Sequence, residues 1–164
     1  MVNEELLNRI NGESADIERY VDMIVEPHTK DLTAYMDNLH KIVSGEDSDL
    51  NASELAQTIL FLSTSMYALV NAIEKSALRQ NVAKIVYMDK YNEAYTSQVS
   101  GTIADRKTKA ELLAQEHQLI EIIYTRAYNK LKLLYDSADN CLAAIKKIMN
   151  LRVSEQQLTM RVNN

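Results

Sequence analysis

The residues best suited to chemistry in this chain are cations and tyrosines between positions 79 and 109. Three tyrosines follow one another at four-residue steps, and basic residues lie among and after them. A single-stranded nucleic acid needs positive charge along its backbone and flat rings for its bases, so this mixture predicts such a site. The alternative is that the tyrosines continue a packing stripe and the lysines are ordinary solvated charges. The predicted contacts are Lys84, Tyr87, Lys90, Tyr91, Tyr95, Arg106, Lys107 and Lys109.

No residue pattern in the sequence supports catalytic, metal or cofactor chemistry. Asp37 and His40 are three residues apart, as a ligand pair on a helix would be, but a di-iron bundle needs Glu-x-x-His on two helices and the sequence has none. No glycine-rich phosphate loop follows a predicted strand. Cys141 is the single cysteine and lies among apolar residues, which is typical of a structural thiol. We therefore expect a non-enzymatic protein with no cofactor, no metal and no small-molecule substrate.

These residues are positioned by a long apolar stripe from Ala110 to Ile148. Its members alternate at steps of three and four residues, which is a heptad seam that must be buried against another long helix, in the same chain or in a second copy. His117 on this seam is either a buried, hydrogen-bonded histidine or a polar residue that specifies an oligomer. Besides the three alanines Ala110, Ala127 and Ala138, the seam consists of Leu113, His117, Ile120, Tyr124, Leu131, Leu134, Cys141, Ile145 and Ile148.

A second long helix is predicted before this one, with an apolar stripe that includes Leu62 and Leu69, slips in phase near Ser76 and resumes as Leu78, Val82 and Ile85. Asn51 or Ser53 is its expected N-cap, with Glu54 in the first turn. Ser100-Gly101-Thr102 is suited to a helix end followed by a new N-cap, with Asp105 completing the cap. Two long helices joined by such a short turn predict an antiparallel hairpin over residues 51–155, followed by a frayed polar tail at 156–164.

The first 50 residues predict an acidic segment of short helices. Gly12 is expected to end a helix over 4–10, and Pro27 to end or kink a helix that begins near Ser14. A third helix is expected over 29–43, and a polar loop over 46–50. Residues 1–54 carry 13 acidic against 4 basic residues, a net charge of −9, whereas the remainder carries +4. This asymmetry suits contact between subunits, or one face for a polyanion and another for a protein partner.

Composition predicts an all-α protein in a reducing compartment. Three glycines and one proline in 164 residues are typical of long helices, and a single cysteine excludes an intramolecular disulfide framework. No apolar run is expected to reach the ~20 residues that span a bilayer, and the acidic N-terminus is unlike a signal peptide. We expect a soluble cytoplasmic protein without membrane contact.

Residues 79–152 resemble the recombination mediator family of T4-type phages, the UvsY family. The similarity includes a basic, tyrosine-bearing helix end that runs into a glycine turn, here Lys84, Lys90, Tyr91 and Tyr95 before Ser100-Gly101. It also includes the closing helix, with Leu134, Asp136 and Cys141 through Lys147. The resemblance implies a phage-encoded, non-catalytic homo-oligomer that forms a ring in the host cytoplasm. It further implies that the protein binds single-stranded DNA and helps load a RecA-like recombinase.

Two other functions are consistent with the same residues. A coiled-coil structural or adaptor protein would use the seams to build an oligomer or hold a partner helix, without nucleic acid. An inhibitor would use the acidic front to imitate a polyanion.

Overall fold

The computed structural model of the chain describes the backbone of residues 4–44 and 50–162, and the side chains of residues 11–42, 50–155 and 157. The described residues form three helices: α1 (Glu4–Ser44), α2 (Ala52–Ser97) and α3 (Ile103–Val162). No strand occurs within these ranges, so the predicted all-α fold is confirmed. Of the predicted loop at 46–50, all but Leu50 lies outside the described residues.

The N-terminal segment is one helix of 41 residues, so the prediction of several short helices is wrong. Gly12 lies inside α1 with no atom near the position of an added side chain, and Pro27 lies inside it on the exposed side. An interior proline disfavours a helix by about 3 kcal/mol. Val21 and Val25 are buried before the proline and Leu32 is buried after it, and this burial offsets that preference because packing of an apolar face stabilises a helix more than intrinsic propensity does.

Both predicted helix starts are confirmed by reciprocal caps. The Asn51 N–H donates to Glu54 Oε2 at 2.7 Å, and the Glu54 N–H donates to Asn51 Oδ1 at 3.0 Å, so Asn51 is the N-cap. The Thr102 N–H donates to Asp105 Oδ2 at 3.0 Å, and the Asp105 N–H donates to Thr102 Oγ1 at 3.2 Å. Each arrangement satisfies amide groups that a helix start leaves without partners.

The turn between α2 and α3 needs its glycine. Gly101 has φ 106°, in a region that side chains rarely adopt. The helices that it joins are antiparallel, as predicted: Gln80 Nε2 donates to Thr125 Oγ1 at 3.2 Å.

The chain divides into two compact units, and each unit takes a segment from all three helices. Unit 1 holds residues up to Pro27 together with Ala72–Lys130, and unit 2 holds His28–Asn71 together with residues from Leu131 onward. Each unit is therefore a three-helix arrangement with its own core.

The two cores differ in side-chain size. In unit 1 the buried positions of α2 and α3 are mostly small: Ala72, Ser76, Ala83, Ala94, Ala110, Ala114 and Ala127. In unit 2 the buried positions of the same two helices are mostly large: Leu55, Leu62, Met66, Leu69, Leu131, Leu142 and Ile145. Small residues let the two long helices of unit 1 approach closely, and larger neighbours are then displaced to the sides of the contact.

Polar contacts add to each core. In unit 2 the Tyr35 hydroxyl donates to Thr58 Oγ1 at 2.8 Å, and the Tyr35 and Phe61 rings lie 4.0 Å apart. In unit 1 Lys130 Nζ lies 2.6 Å from Asp22 Oδ1, which joins α3 to α1. This ion pair is half exposed, so its contribution to stability is small.

Within the described residues, one helix, α2, is both long enough and apolar enough to cross a membrane, judged by length and composition alone. Its most apolar 18-residue window has a mean hydropathy of 1.3, which corrects our expectation that no apolar run approaches a membrane span. Core helices of helical proteins have the same composition, and Leu55, Leu62 and Leu69 of α2 are buried in unit 2. One such helix is therefore weak support for a membrane span.

The backbone of α3 continues to Val162, past residue 155 where the hairpin was expected to end.

Candidate nucleic-acid interface near the interhelical turn

The three predicted tyrosines form a continuous row of rings along the last turns of α2. The Tyr87 and Tyr91 ring centroids are 6.4 Å apart at 49°, and the Tyr91 and Tyr95 centroids are 6.3 Å apart at 10°. The rings line up because residues four apart are neighbours on a helix surface. All three are partly exposed, so each ring retains surface that a base could contact. We call these residues the tyrosine ladder.

Arg106 extends the ladder from α2 to α3. Its guanidinium carbon lies 5.4 Å from the centroid of the Tyr95 ring, which is cation–π geometry. The Nε atom of Arg106 is buried and has no hydrogen-bond partner among the described residues. The ladder therefore ends in a fixed positive charge next to a ring, and this is the combination that stacks a base and holds its phosphate.

The remaining predicted cations are arranged less uniformly. Lys90 Nζ lies 2.7 Å from Glu93 Oε2, and this hydrogen bond and the attraction between the two charges raise the pKa of Lys90 and lower the pKa of Glu93. Lys84, Lys107 and Lys109 are exposed. Lys84 precedes the tyrosines by 3, 7 and 11 residues, which places it on their side of α2.

One acidic group beside the turn has a structural role. The Thr102 side chain and backbone both donate to Asp105, and these hydrogen bonds lower the pKa of the Asp105 carboxyl. Its negative charge at the start of α3 complements the helix dipole.

The seam residues divide into three groups. Leu131 and Ile145 are buried. His117, Tyr124, Leu134 and Cys141 are half-buried. Leu113, Ile120 and Ile148 are exposed in the single chain. Leu131, Ala138 and Ile145 are buried at steps of seven residues, as a heptad seam predicts, whereas Ala114 and Leu142 are buried although they lie outside the predicted seam.

Two polar seam residues have unusual surroundings. Burial raises the pKa of the Cys141 thiol, which keeps it protonated at neutral pH, in agreement with a structural role. His117 Nδ1 is buried and has no hydrogen-bond partner among the described residues. No group of three or more histidine, cysteine, aspartate or glutamate side chains lies together in the described part of the chain.

A broad apolar surface of unit 1 was missed by the sequence reading. Leu78 and Val82 of α2 were assigned to a buried stripe, but both are half or more exposed, as are Leu113 of α3 and Met23 of α1. The signal that could have identified this surface is the 11-residue spacing of Ala72, Ala83 and Ala94, which marks a different face of α2 as the buried one.

No protein-family model matches the chain, and neither a curated protein nor a solved structure matches it at a significant level.

Proposed function

We propose that this protein binds single-stranded nucleic acid through the tyrosine ladder and the cations around it, without catalytic activity. The ladder ending at Arg106 is the observation that supports this function. Each ring is partly exposed, and base–aromatic stacking contributes about 1–3 kcal/mol per base. Arg106, Lys84 and Lys107 supply charge for the phosphates.

The biological role that we propose is that of a recombination mediator. The resemblance of residues 79–152 to the mediators of T4-type phages supports it. Several copies would hold single-stranded DNA along their ladders, and the acidic N-terminal segment would contact a RecA-like recombinase.

Fluorescence anisotropy with a labelled single-stranded oligonucleotide, a duplex control and several salt concentrations tests the binding. We expect preference for the single strand and steep weakening with salt. Tyr91→Ala should weaken binding by about 5- to 150-fold, the equivalent of one lost stacking contact.

The matched control is Tyr67→Ala, which removes an exposed tyrosine from unit 2 of the same helix. It should leave affinity unchanged. Equal affinity of the wild-type protein and the Tyr91→Ala variant, both fully helical, would exclude the ladder as the site.

A second candidate is an adaptor function, and the exposed apolar surface of unit 1 favours it. Leu78 and Leu113 lie on this surface and are more than 60% exposed, and large exposed apolar patches mark protein contacts. An intact protein that binds no nucleic acid at low salt would favour this candidate.

A further inference from the structure

Unit 1 leaves large apolar side chains uncovered on one side. Six of them are between 41% and 67% exposed, and they come from all three helices. Together they present on the order of 600 Å², the upper end of what the largest apolar patch of a monomer usually shows. We call this set the apolar face: Met23, Leu78, Val82, Leu113, Leu119 and Ile120.

Two features of the chain produce the apolar face. The α2–α3 contact is made by alanines such as Ala83 and Ala110, so the larger residues of both helices lie beside it. The part of α1 over residues 11–16 does not cover them, because all six residues are exposed and none has an apolar side chain larger than Ala15.

Two grooves lie on this side of unit 1. The α2–α3 groove has a volume of about 350 Å³ and is lined in part by Leu78, Val82 and His117. The α1–α3 groove has a volume of about 470 Å³ and is lined in part by Met23 and Leu119. Ile120 and Tyr124 line both grooves, so α3 forms a ridge between them.

We propose that the apolar face binds a second copy of the same chain in a two-fold dimer. A ridge flanked by grooves is self-complementary, as a two-fold contact requires. An axis parallel to the helices and displaced toward α2 places the α3 ridge of each copy in the α2–α3 groove of the other. The same axis places α2 of each copy over the α1–α3 groove of the other.

The area of the apolar face favours this occupant. Two such faces together remove on the order of 1,200 Å² from water, which reaches the lower end of specific interfaces.

This inference does not depend on nucleic-acid binding. At about 100° per residue, Val82 and Val86 fall on one side of the line through buried Ala83, whereas Lys84 and Tyr91 fall on the other. The dimer face and the ladder are therefore on opposite sides of α2, and each can fail without the other.

Sedimentation velocity over a range of protein concentrations tests the dimer. Wild-type protein should be dimeric, and Leu113→Lys should raise the dissociation constant by about 100-fold or more because it places an unpaired charge in the contact. The matched control is Leu133→Lys: both residues are leucines of α3, exposed by 63% and 68%, and Leu133 lies in unit 2. The control should dimerise like the wild type, and circular dichroism should show equal helix content for both variants.

Cross-linking tests the geometry. Ile120→Cys in a Cys141→Ala background should form a disulfide between chains under mild oxidation, because residue 120 of each copy lies near the axis; Leu133→Cys should not. A monomeric wild-type protein, as expected if a different protein covers the face, would overturn the proposal. Equal effects of Leu113→Lys and Leu133→Lys would also overturn it, and so would a dimer that does not cross-link at residue 120.

Discussion

Arg106 and Tyr95 illustrate what the single residue contributes to this protein. Both occur in the sequence as members of a mixed set, with no indication that they touch. The structure places the guanidinium carbon 5.4 Å from the ring centroid and buries Nε, which has no hydrogen-bond partner in the described part of the chain. Lys90 belonged to the same set but is paired with Glu93, so part of its charge is already neutralised. The cations of the predicted site thus differ in how readily each can bind a phosphate.

The lowered pKa of Asp105 predicts how the stability of the protein depends on pH. Hydrogen bonds from Thr102 lower its pKa in the folded protein, so the stability that they contribute is present above the usual range of an aspartate, about 4. This stability should be lost as the pH falls through the lowered pKa that Asp105 has in the folded protein. The melting temperature measured from pH 6 to pH 2 should therefore fall less steeply in Asp105→Asn than in the wild type. Asp136→Asn, an exposed site in the middle of α3, should keep the wild-type pH dependence.

At the scale of the helix, local signals and tertiary packing compete. Gly12 and Pro27 both predict a break in α1, yet the helix continues through each. The caps of α2 and α3 and the glycine turn show the opposite outcome, since the predicted local chemistry is what the structure contains. Local signals prevail where hydrogen bonds within a few residues satisfy the backbone. At Pro27 the local signal fails because buried residues of α1 lie on both sides of it, Val21 and Val25 before and Leu32 after.

The continuity of α1 predicts that its breakers are destabilising. Pro27→Ala should increase the free energy of unfolding by roughly 1–3 kcal/mol, because it restores a helix hydrogen bond at an exposed site. Gly12→Ala should increase it by about 0.5–1 kcal/mol, since an added methyl group meets no atom within 4 Å. Urea unfolding measures both. A lower free energy of unfolding in Pro27→Ala would indicate instead that α1 requires the proline at this position.

The α3 core predicts a contrast between two neighbouring leucines. Leu131 is 1% exposed and Leu133 is 68% exposed. Leu131→Asp should lower the free energy of unfolding by at least about 4 kcal/mol or prevent folding, because it buries an unpaired charge. Leu133→Asp should change it by less than about 0.5 kcal/mol. Thermal unfolding followed by circular dichroism separates the two, and similar melting temperatures would contradict the assigned core.

At the scale of the whole molecule, charge is unevenly distributed along the chain. The first 54 residues carry −9 and the remaining 110 carry +4. Nucleic acid is therefore expected to meet the second and third helices, and a basic protein partner the first. The two units also differ in their cores, one built on alanines and the other on leucines. Unit 1, with the smaller core, is the one that carries the apolar face and the ladder.

Salt dependence tests the charge assignment for the molecule as a whole. Each phosphate contact to a single strand contributes about 0.7 to the slope of log affinity against log salt concentration. Lys84→Gln combined with Lys107→Gln should thus reduce the magnitude of the slope by about 1.4. Lys132→Gln combined with Lys146→Gln, two exposed lysines of unit 2, should leave the slope unchanged. Equal slopes in the two double variants would place the phosphates elsewhere.

The sequence by itself determined the helical class, both capped starts and the turn between α2 and α3. Each depends on local hydrogen bonding or on overall composition, which the order of residues specifies directly. It also identified the tyrosine row, because four-residue spacing on any helix aligns side chains.

The tertiary structure decided which apolar positions are inside. Leu78, Val82 and Leu113 fit a heptad stripe as well as Leu62 and Leu69 do, but they are exposed while the latter are buried. In unit 1 the two long helices contact each other through alanines, so a different face of each helix is buried and the larger apolar residues stay exposed. The spacing of apolar residues in the sequence does not reveal which of two apolar faces is buried. The contact between Arg106 and Tyr95 also needed the fold, since it joins two helices whose relative rotation is set by that packing.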